Sequence, residues 1–290
     1  MKLRLLILSV ALSLPVIVAA QSLDTAKIDE AMGRSGQQTG DVYRLGFPRT
    51  DLHVSVGGVD IKPGLALGSW AAFAGSDNSA MVMGDLVLLE NELTPVMKKL
   101  RAAGFDITAV HNHVLNETPR AIYMHYMGHG KAVELAKALH AALAESKTPL
   151  DKPAPPAPTA EPPAFVKTIE DTLGTKGRLA GGVLSFGIPR AGAITDHGMT
   201  LTTAQGVAEA INFQEAGAGN VATTGDFVLT AEEVNPVISA LEEHGIAVTA
   251  LHSHMITEQP RLFFMHFWAV GSTESVAIGI KAALSHVAVK

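Results

Sequence analysis

Two halves of this chain are copies of one another, and that constrains its folding more than any other feature. His111-Asn112-His113, Glu117, Pro119-Arg120 and Met124-His125 return as His252-Ser253-His254, Glu258, Pro260-Arg261 and Met265-His266, each 141 residues later. The same offset links Gly46, Pro48 and Arg49 to Gly187, Pro189 and Arg190, and Gly84-Asp85 to Gly225-Asp226. From 84 to 143, 23 of 60 positions match their partners, and no gap is needed from 23 to 149. The period exceeds the ~20–50 residues of solenoid repeats and has the size of a small domain, about 100–150 residues. The reading is a duplicated domain, with copies at 23–145 and 164–290. Between them, 146–163 holds seven of the fifteen prolines. Proline removes helix and sheet hydrogen bonds, so an extended, solvated spacer is expected there.

Residues 1–20 read as a secretory signal, with Lys2 and Arg4, an apolar stretch from Leu5 to Leu14, and Val18-Ala19-Ala20 before the cleavage point. The alternative is an uncleaved anchor, but the stretch is short of the ~20 apolar residues a span requires. A periplasmic or secreted protein with no stable membrane span after cleavage is expected. The chain has no cysteine, which excludes a disulfide framework, a thiolate ligand and a lipid-anchoring cysteine. Formal charge is −6, or −6 − 2 = −8 without Lys2 and Arg4. With no basic cluster, nucleic acid has no electrostatic footing as a partner. Apolar residues make up 47% and charged ones 17%, the balance of a globular chain and not a disordered one.

Within one copy, 24–32 and 165–173 read as short helices, and 51–56 as a strand ending at Gly57-Gly58. Residues 63–74 are ambiguous. Their counterparts at 203–213 look helical, with Val207, Ala210 and Ile211 on one side. Residues 81–89 form a strand candidate interrupted at Gly84-Asp85. Thr94 and Asn235 read as caps of helices starting at Pro95 and Pro236 and ending at Gly104 and Gly245. Residues 107–114 and 121–127 form a hairpin, and 131–143 a closing helix. The expected class is α+β, or mixed α/β: two homologous tandem domains, each with a mixed or antiparallel sheet that contains a histidine-bearing hairpin and is packed by helices.

Residues i and i+2 of a strand share a face. His111 with His113, and His252 with His254, are thus expected to project together, with His125 and His266 approaching from the next strand. Three imidazoles and a carboxylate in each copy suit a divalent transition metal such as Zn, Cu, Fe or Mn. Glu117 and Glu258, in the connecting turn, are the candidate ligands or general bases. The His-x-His-x3-Glu spacing also occurs in cupins, but the helices and the missing glycine argue against that fold. The rival reading is a hydrogen-bonded network that ties each hairpin together. Against it, neighbours drift between copies, Asn112 to Ser253 and Asn116 to Thr257, while six of the twelve histidines stay matched. Asp85 and Asp226 are read as bend or capping residues, with a metal or base role as the alternative. Arg120 and Arg261 are read as partners of Glu117 and Glu258, with an anion contact as the alternative. Phe264 and Trp268 share the face of His266 and either pack in the core or line an apolar pocket.

The runs Gly84-Asp85-Leu86-Val87-Leu88, Val110-His111-Asn112-His113, Leu251-His252-Ser253-His254, Glu258-Gln259-Pro260-Arg261 and Phe264-Met265-His266-Phe267-Trp268 resemble the bacterial LppY/LpqO family across both copies. The resemblance implies export and no established catalytic residue. Three functions stay open: a metal-binding protein that uses the metal for catalysis or for redox chemistry, a non-enzymatic module for a small-molecule or envelope ligand, and a structural or interaction protein.

Overall fold

The computed structural model describes residues 22–151 and 161–290. The signal at 1–20 lies outside them, as does the middle of the spacer, 152–160. The first repeat runs α1 (Thr25–Met32), β1 (Gln37–Thr39), β2 (Val42–Pro48), β3 (Val54–Val56), β4 (Val59–Ile61), α2 (Pro63–Ala66), β5 (Gly68–Ser76), β6 (Ser79–Leu89), α3 (Glu90–Ala102), β7 (Asp106–His111), β8 (Glu117–Thr118), β9 (Ala121–Gly130) and α4 (Ala132–Leu143). The second runs α5 (Ala164–Leu173), β10 (Arg178–Ala180), β11 (Val183–Pro189), β12 (Ile194–Asp196), β13 (Met199–Leu201), a 3-10 turn at Thr203–Gln205, β14 (Ala208–Gly217), β15 (Asn220–Leu229), α6 (Ala231–Glu243), β16 (Ala247–His252), β17 (Phe263–Ser272) and α7 (Thr273–Leu284).

Each repeat is an α+β unit built on a six-stranded antiparallel sheet, ordered β1-β2-β5-β6-β9-β7 and β10-β11-β14-β15-β17-β16. Strand alternation sorts the residues into two faces. Leu45, Phe47, Phe73, Val82, Leu86, Met124 and Tyr126 pack with Ile28, Val96 and Leu139 of the helices in one core. Phe186, Phe213, Phe227, Met265 and Phe267 pack likewise with Ile169, Val237 and Ile280. The opposite faces meet each other. Met81, Met83 and Met127 pack with Val207, Val228, Met255 and Phe264 across the repeats, and Val87 and Tyr123 share a cluster with Val183 and Ala222.

Several local expectations change. Helices α3 and α6 begin before Pro95 and Pro236, because Glu92 and Glu233 reach back 2.8 Å to the backbone N–H of Leu89 and Thr230. This glutamate half of a capping box starts the helix a turn earlier than proline would. Residues 208–213 are strand, not helix. Strand β14 carries buried residues on both faces, so the alternation that marks a half-exposed strand is absent. Strand β6 runs unbroken through Gly84-Asp85.

The gapless alignment also conceals two compensating changes. Pro48 pairs with Gly68, but Pro189 pairs with Ala208, an offset of 208 − 68 = 140. The offset returns to 141 at the irregularity between Glu215 and Gly217. Structurally, Trp70 therefore corresponds to Ala210, each opposite the aspartate of its own sheet.

Candidate functional site

The two expected sites form one cluster between the sheets. His111 and His252 stack with ring centroids 3.7 Å apart. Around them the pairing crosses the repeats: His113 lies 3.9 Å from His266, and His125 lies 3.9 Å from His254. These two contacts exchange under the same pseudo-twofold operation. Backbone contacts repeat it. The Thr108 hydroxyl donates to the His254 carbonyl at 2.6 Å, and that of Thr249 to the His113 carbonyl. Asn112 Nδ2 donates to the Thr249 carbonyl at 2.9 Å, and Ser253 Oγ to that of Thr108 at 3.1 Å. Both threonines sit at irregularities in their ladders, where an extra residue turns them toward the other repeat.

His111 and His252 end their strands, whereas His113 and His254 lie in the following loops and not on a continued strand. The first loop is drawn off the hairpin ladder because Glu117 and Thr118 pair with Val56 and Ser55.

The Gly-Asp pair is the element whose role the sequence least revealed. An added Cβ on Gly84 would lie 2.1 Å from the Trp70 carbonyl oxygen, and one on Gly225 1.9 Å from that of Ala210. Only glycine permits that approach. The Gly84 and Gly225 carbonyls are positioned 3.2 Å from His125 Nδ1 and 2.6 Å from His266 Nδ1, each accepting that ring's N–H. The following Asp85 and Asp226 face the loop histidines, with Oδ2 3.3 Å from His113 Nε2 and 2.8 Å from His254 Nε2. Tyr123 stacks on His113 at 3.4 Å and Phe264, its counterpart, on His254 at 3.5 Å.

His111 Nδ1 is likewise 3.2 Å from the Asn112 carbonyl and His254 Nδ1 3.1 Å from that of Gly206. A backbone acceptor on Nδ1 fixes the tautomer and leaves the Nε2 lone pair for another partner, the arrangement usual behind metal-bound imidazoles. Yet Nε2 of His111, His113, His125, His254 and His266, both nitrogens of His252, and Oδ1 of Asp85 and Asp226 are buried without a hydrogen bond. Each such atom costs about 1–3 kcal/mol when nothing satisfies it. Burial depresses the pKa of His111 to about 4 and pushes His113, His125, His252 and His266 further below the usual histidine value. Burial also raises Asp85 to about 6, against the pull of His111 and His254. Neutral imidazoles with open lone pairs are the form that binds a metal.

Among the described residues, three groups of donors could hold an ion, each with atoms within 4.8 Å of one another: His111, His113 and His266; His111, His125 and His252; Asp226, His252 and His254. Every group with three histidines draws on both repeats. Glu117 and Glu258 belong to none of them. In place of the expected base, Glu258 is a turn residue that accepts from Leu262 N–H at 2.9 Å and pairs with Arg261 at 3.2 Å. Glu117 is buried in the matching turn, its pKa raised by burial, and Arg120 is exposed. Phe264 and Trp268 do not line the cleft beside the cluster: Phe264 is covered by His254, and Trp268 packs between the repeats.

That cleft, about 640 Å³, is walled by His113, His125, His254, His266, Asp85 and Asp226 at one side and by Arg44 and Trp70 at another. Nothing in the repeat pattern marks Arg44, because the second repeat has Ser185 at its position.

Fold and site together define a duplicated α+β protein with one histidine-aspartate centre shared by its two halves. The chain belongs to the family described as a Domain of Unknown Function (DUF1259), which matches residues 26–145 and 167–286. No curated protein matches it. Among solved structures it is similar to a trimeric bacterial microcompartment shell protein, PduB, at 11% identity over 87% of this chain and 89% of that one, with a TM-score of 0.20. EtuB from Clostridium kluyveri is similar at 10% identity over 86% and 90%, also with a TM-score of 0.20. Likeness at that level bears on neither fold nor function.

Proposed function

We propose that this is an exported metal-binding protein of the LppY/LpqO type, periplasmic or secreted, whose two repeats jointly hold divalent transition metal. Among the described residues no helix is long and apolar enough to cross a membrane. The observation that carries the reading is the set of buried, unpartnered Nε2 atoms facing one another, most of them with Nδ1 tied to backbone carbonyls. His113 and His254 Nε2 approach Asp85 and Asp226, at 3.3 and 2.8 Å, but Nε2 of His111, His125 and His266 and both nitrogens of His252 have no hydrogen-bond partner among the described residues. Pseudo-symmetry sorts the donors into two equivalent sets of three nitrogens and one carboxylate. One is His111, His113, His266 and Asp85; the other is His252, His254, His125 and Asp226. Ligand bonds of about 2.0–2.2 Å hold two donors of a tetrahedral ion ~3.3–3.6 Å apart. The 3.3 Å between His113 and Asp85 suits that spacing, and the 2.8 Å between His254 and Asp226 is slightly short of it.

Such donors accept Zn, Cu, Fe or Mn. A bound ion supplies Lewis acidity, which polarises a substrate oxygen or acidifies water. The chain's own part is to exclude solvent, fix the imidazole tautomers and open four of the histidines onto the cleft. The test is metal analysis of untagged protein after loading with each of the four metals. About two ions per chain are expected, reduced to none in the double variant His111→Ala, His252→Ala. Absence of metal after all four loadings sinks the reading.

A further inference from the structure

We propose that the cleft binds a small organic oxyanion, a carboxylate or a phosphate, anchored by Arg44 and flanked by Trp70. This deepens the metal reading and rests on it for the chemistry at the cleft's inner wall. The anchor itself stands on separate observations.

Arg44 projects from β2 on the face away from the helices. Its guanidinium lies 4.0 Å from the Trp70 ring centroid, and one nitrogen donates to the Ala204 carbonyl of the other repeat at 2.6 Å. Among the described residues it makes no ion pair, although burial costs the cation enough to lower its pKa to about 10. Arg34, also buried without an ion pair among the described residues, lies over Phe47 and donates to the Pro149 carbonyl, outside the cleft; the guanidiniums with counterparts in both repeats behave differently. Arg49 and Arg190 each meet a helix glutamate at 2.7 Å, and both copies keep that pair. That paired guanidinium was retained in both repeats. Arg44 was not: Ser185 stands at its counterpart, and Ala210 at that of Trp70. Cation and indole occur together in one half only.

The same cleft is lined by Arg178, an exposed edge-strand residue with no ion pair among the described residues. Two unpaired guanidiniums therefore face one cleft in a chain of net charge −6. The floor between them is open. An added Cβ on Gly46, Gly68 or Gly187 would meet nothing within 4 Å. The volume falls in the range of small-molecule sites, about 300–1,000 Å³. A guanidinium over an indole face still has N–H groups to offer at its edge, and a guanidinium edge fits the two oxygens of a carboxylate or phosphate.

The experiment is calorimetric titration of the full chain, metal-loaded and chelator-stripped, with phenyl phosphate, benzoate and benzyl alcohol. At least one anion is expected to bind, and the neutral alcohol at least about tenfold more weakly, as loss of a charge-assisted bond implies. Which anion binds identifies the headgroup. Arg44→Met should weaken the anion about tenfold with metal content unchanged, and Arg178→Gln, exposed and dispensable for folding, several-fold. Equal binding of the alcohol, no binding of either anion, or unchanged affinity in Arg44→Met overturns the proposal. Should Arg44→Met fail to fold, unchanged affinity in Arg178→Gln overturns it. Arg44-dependent anion binding in a protein that takes up no metal would end the metal reading and leave this one standing. Metal uptake without Arg44-dependent binding does the reverse.

Discussion

His125 of the first repeat lies 3.9 Å, ring to ring, from His254 of the second, nearer than the 5.1 Å between His254 and His252 of its own repeat. Donors are thus grouped across the repeats. In metal affinity, His125→Ala and His254→Ala should be non-additive by about 1 kcal/mol or more, as for groups sharing one partner. His125→Ala with His113→Ala, drawn from different sets and linked only through Asp85, should couple more weakly. The check is a double-mutant cycle by competition with a chelator. Coupling confined to residues of one repeat contradicts the cross-repeat grouping.

Gly84→Ala and Gly225→Ala force a methyl group to within 2.1 and 1.9 Å of a carbonyl oxygen. Overpacking of this kind costs about 1–3 kcal/mol. Urea midpoints should fall for both variants, and metal content with them, because each glycine carbonyl also orients a histidine. A methyl tolerated at either site without loss of stability would show that the strands are free to move apart there.

Arg49 is fully buried and bonds Glu92 at 2.7 Å, Asp51 at 2.9 Å and the Val87 carbonyl at 2.7 Å. Removing one member of a buried pair leaves an uncompensated charge and costs about 3–5 kcal/mol. Arg49→Met should therefore lower stability by that order, read from chemical denaturation. Arg101→Met, which breaks an exposed pair with Asp106, should change it by well under about 1 kcal/mol.

Glu209 is fully buried, accepts the Val228 N–H at 2.7 Å, and has its pKa raised well above 4.5 by burial. The folded state holds this proton more tightly than the unfolded chain. Its contribution is fully present below pH 4.5 and is lost as pH rises through the elevated folded value. Glu209→Gln mimics the protonated form, so its stability advantage over the natural protein should be near zero at pH 4.5 and grow toward neutrality. The slope is at most about 1.4 kcal/mol per pH unit. Parallel stability curves for the two metal-free proteins, measured against pH, would refute a raised carboxyl.

Much of this was legible in the residues themselves. The 141-residue echo located two domains, and strand alternation brought His125 and His266 to the side where His111 and His252 end their strands, while His113 and His254 reach the same place from loops. Alternation within one sheet says nothing about what that side faces, so two sites were expected where the fold makes one. The gapless alignment hid an offset of 140 because a shorter loop is offset by a later irregularity in β14. That masked Ser69 and Glu209 as counterparts, each accepting the N–H of its own β-strand valine, Val87 or Val228. The glutamates of the repeated phrase drew attention as candidate bases, yet Glu258 is spent on Leu262 and Arg261. The aspartates facing the histidines read first as bend or capping residues, with a metal or base role second, because a glycine-aspartate pair in an apolar run suggests an interruption that β6 does not have.

The reciprocal hydroxyl contacts of Thr108 and Thr249 mean that neither half completes its histidine loop alone. Anything that bridges His113 and His266 becomes a clasp between the halves. At a free concentration 100 times its Kd, such a ligand adds about 2.7 kcal/mol to the docked state. Where the ligand is scarce, that added stabilisation of the docked state shrinks toward zero.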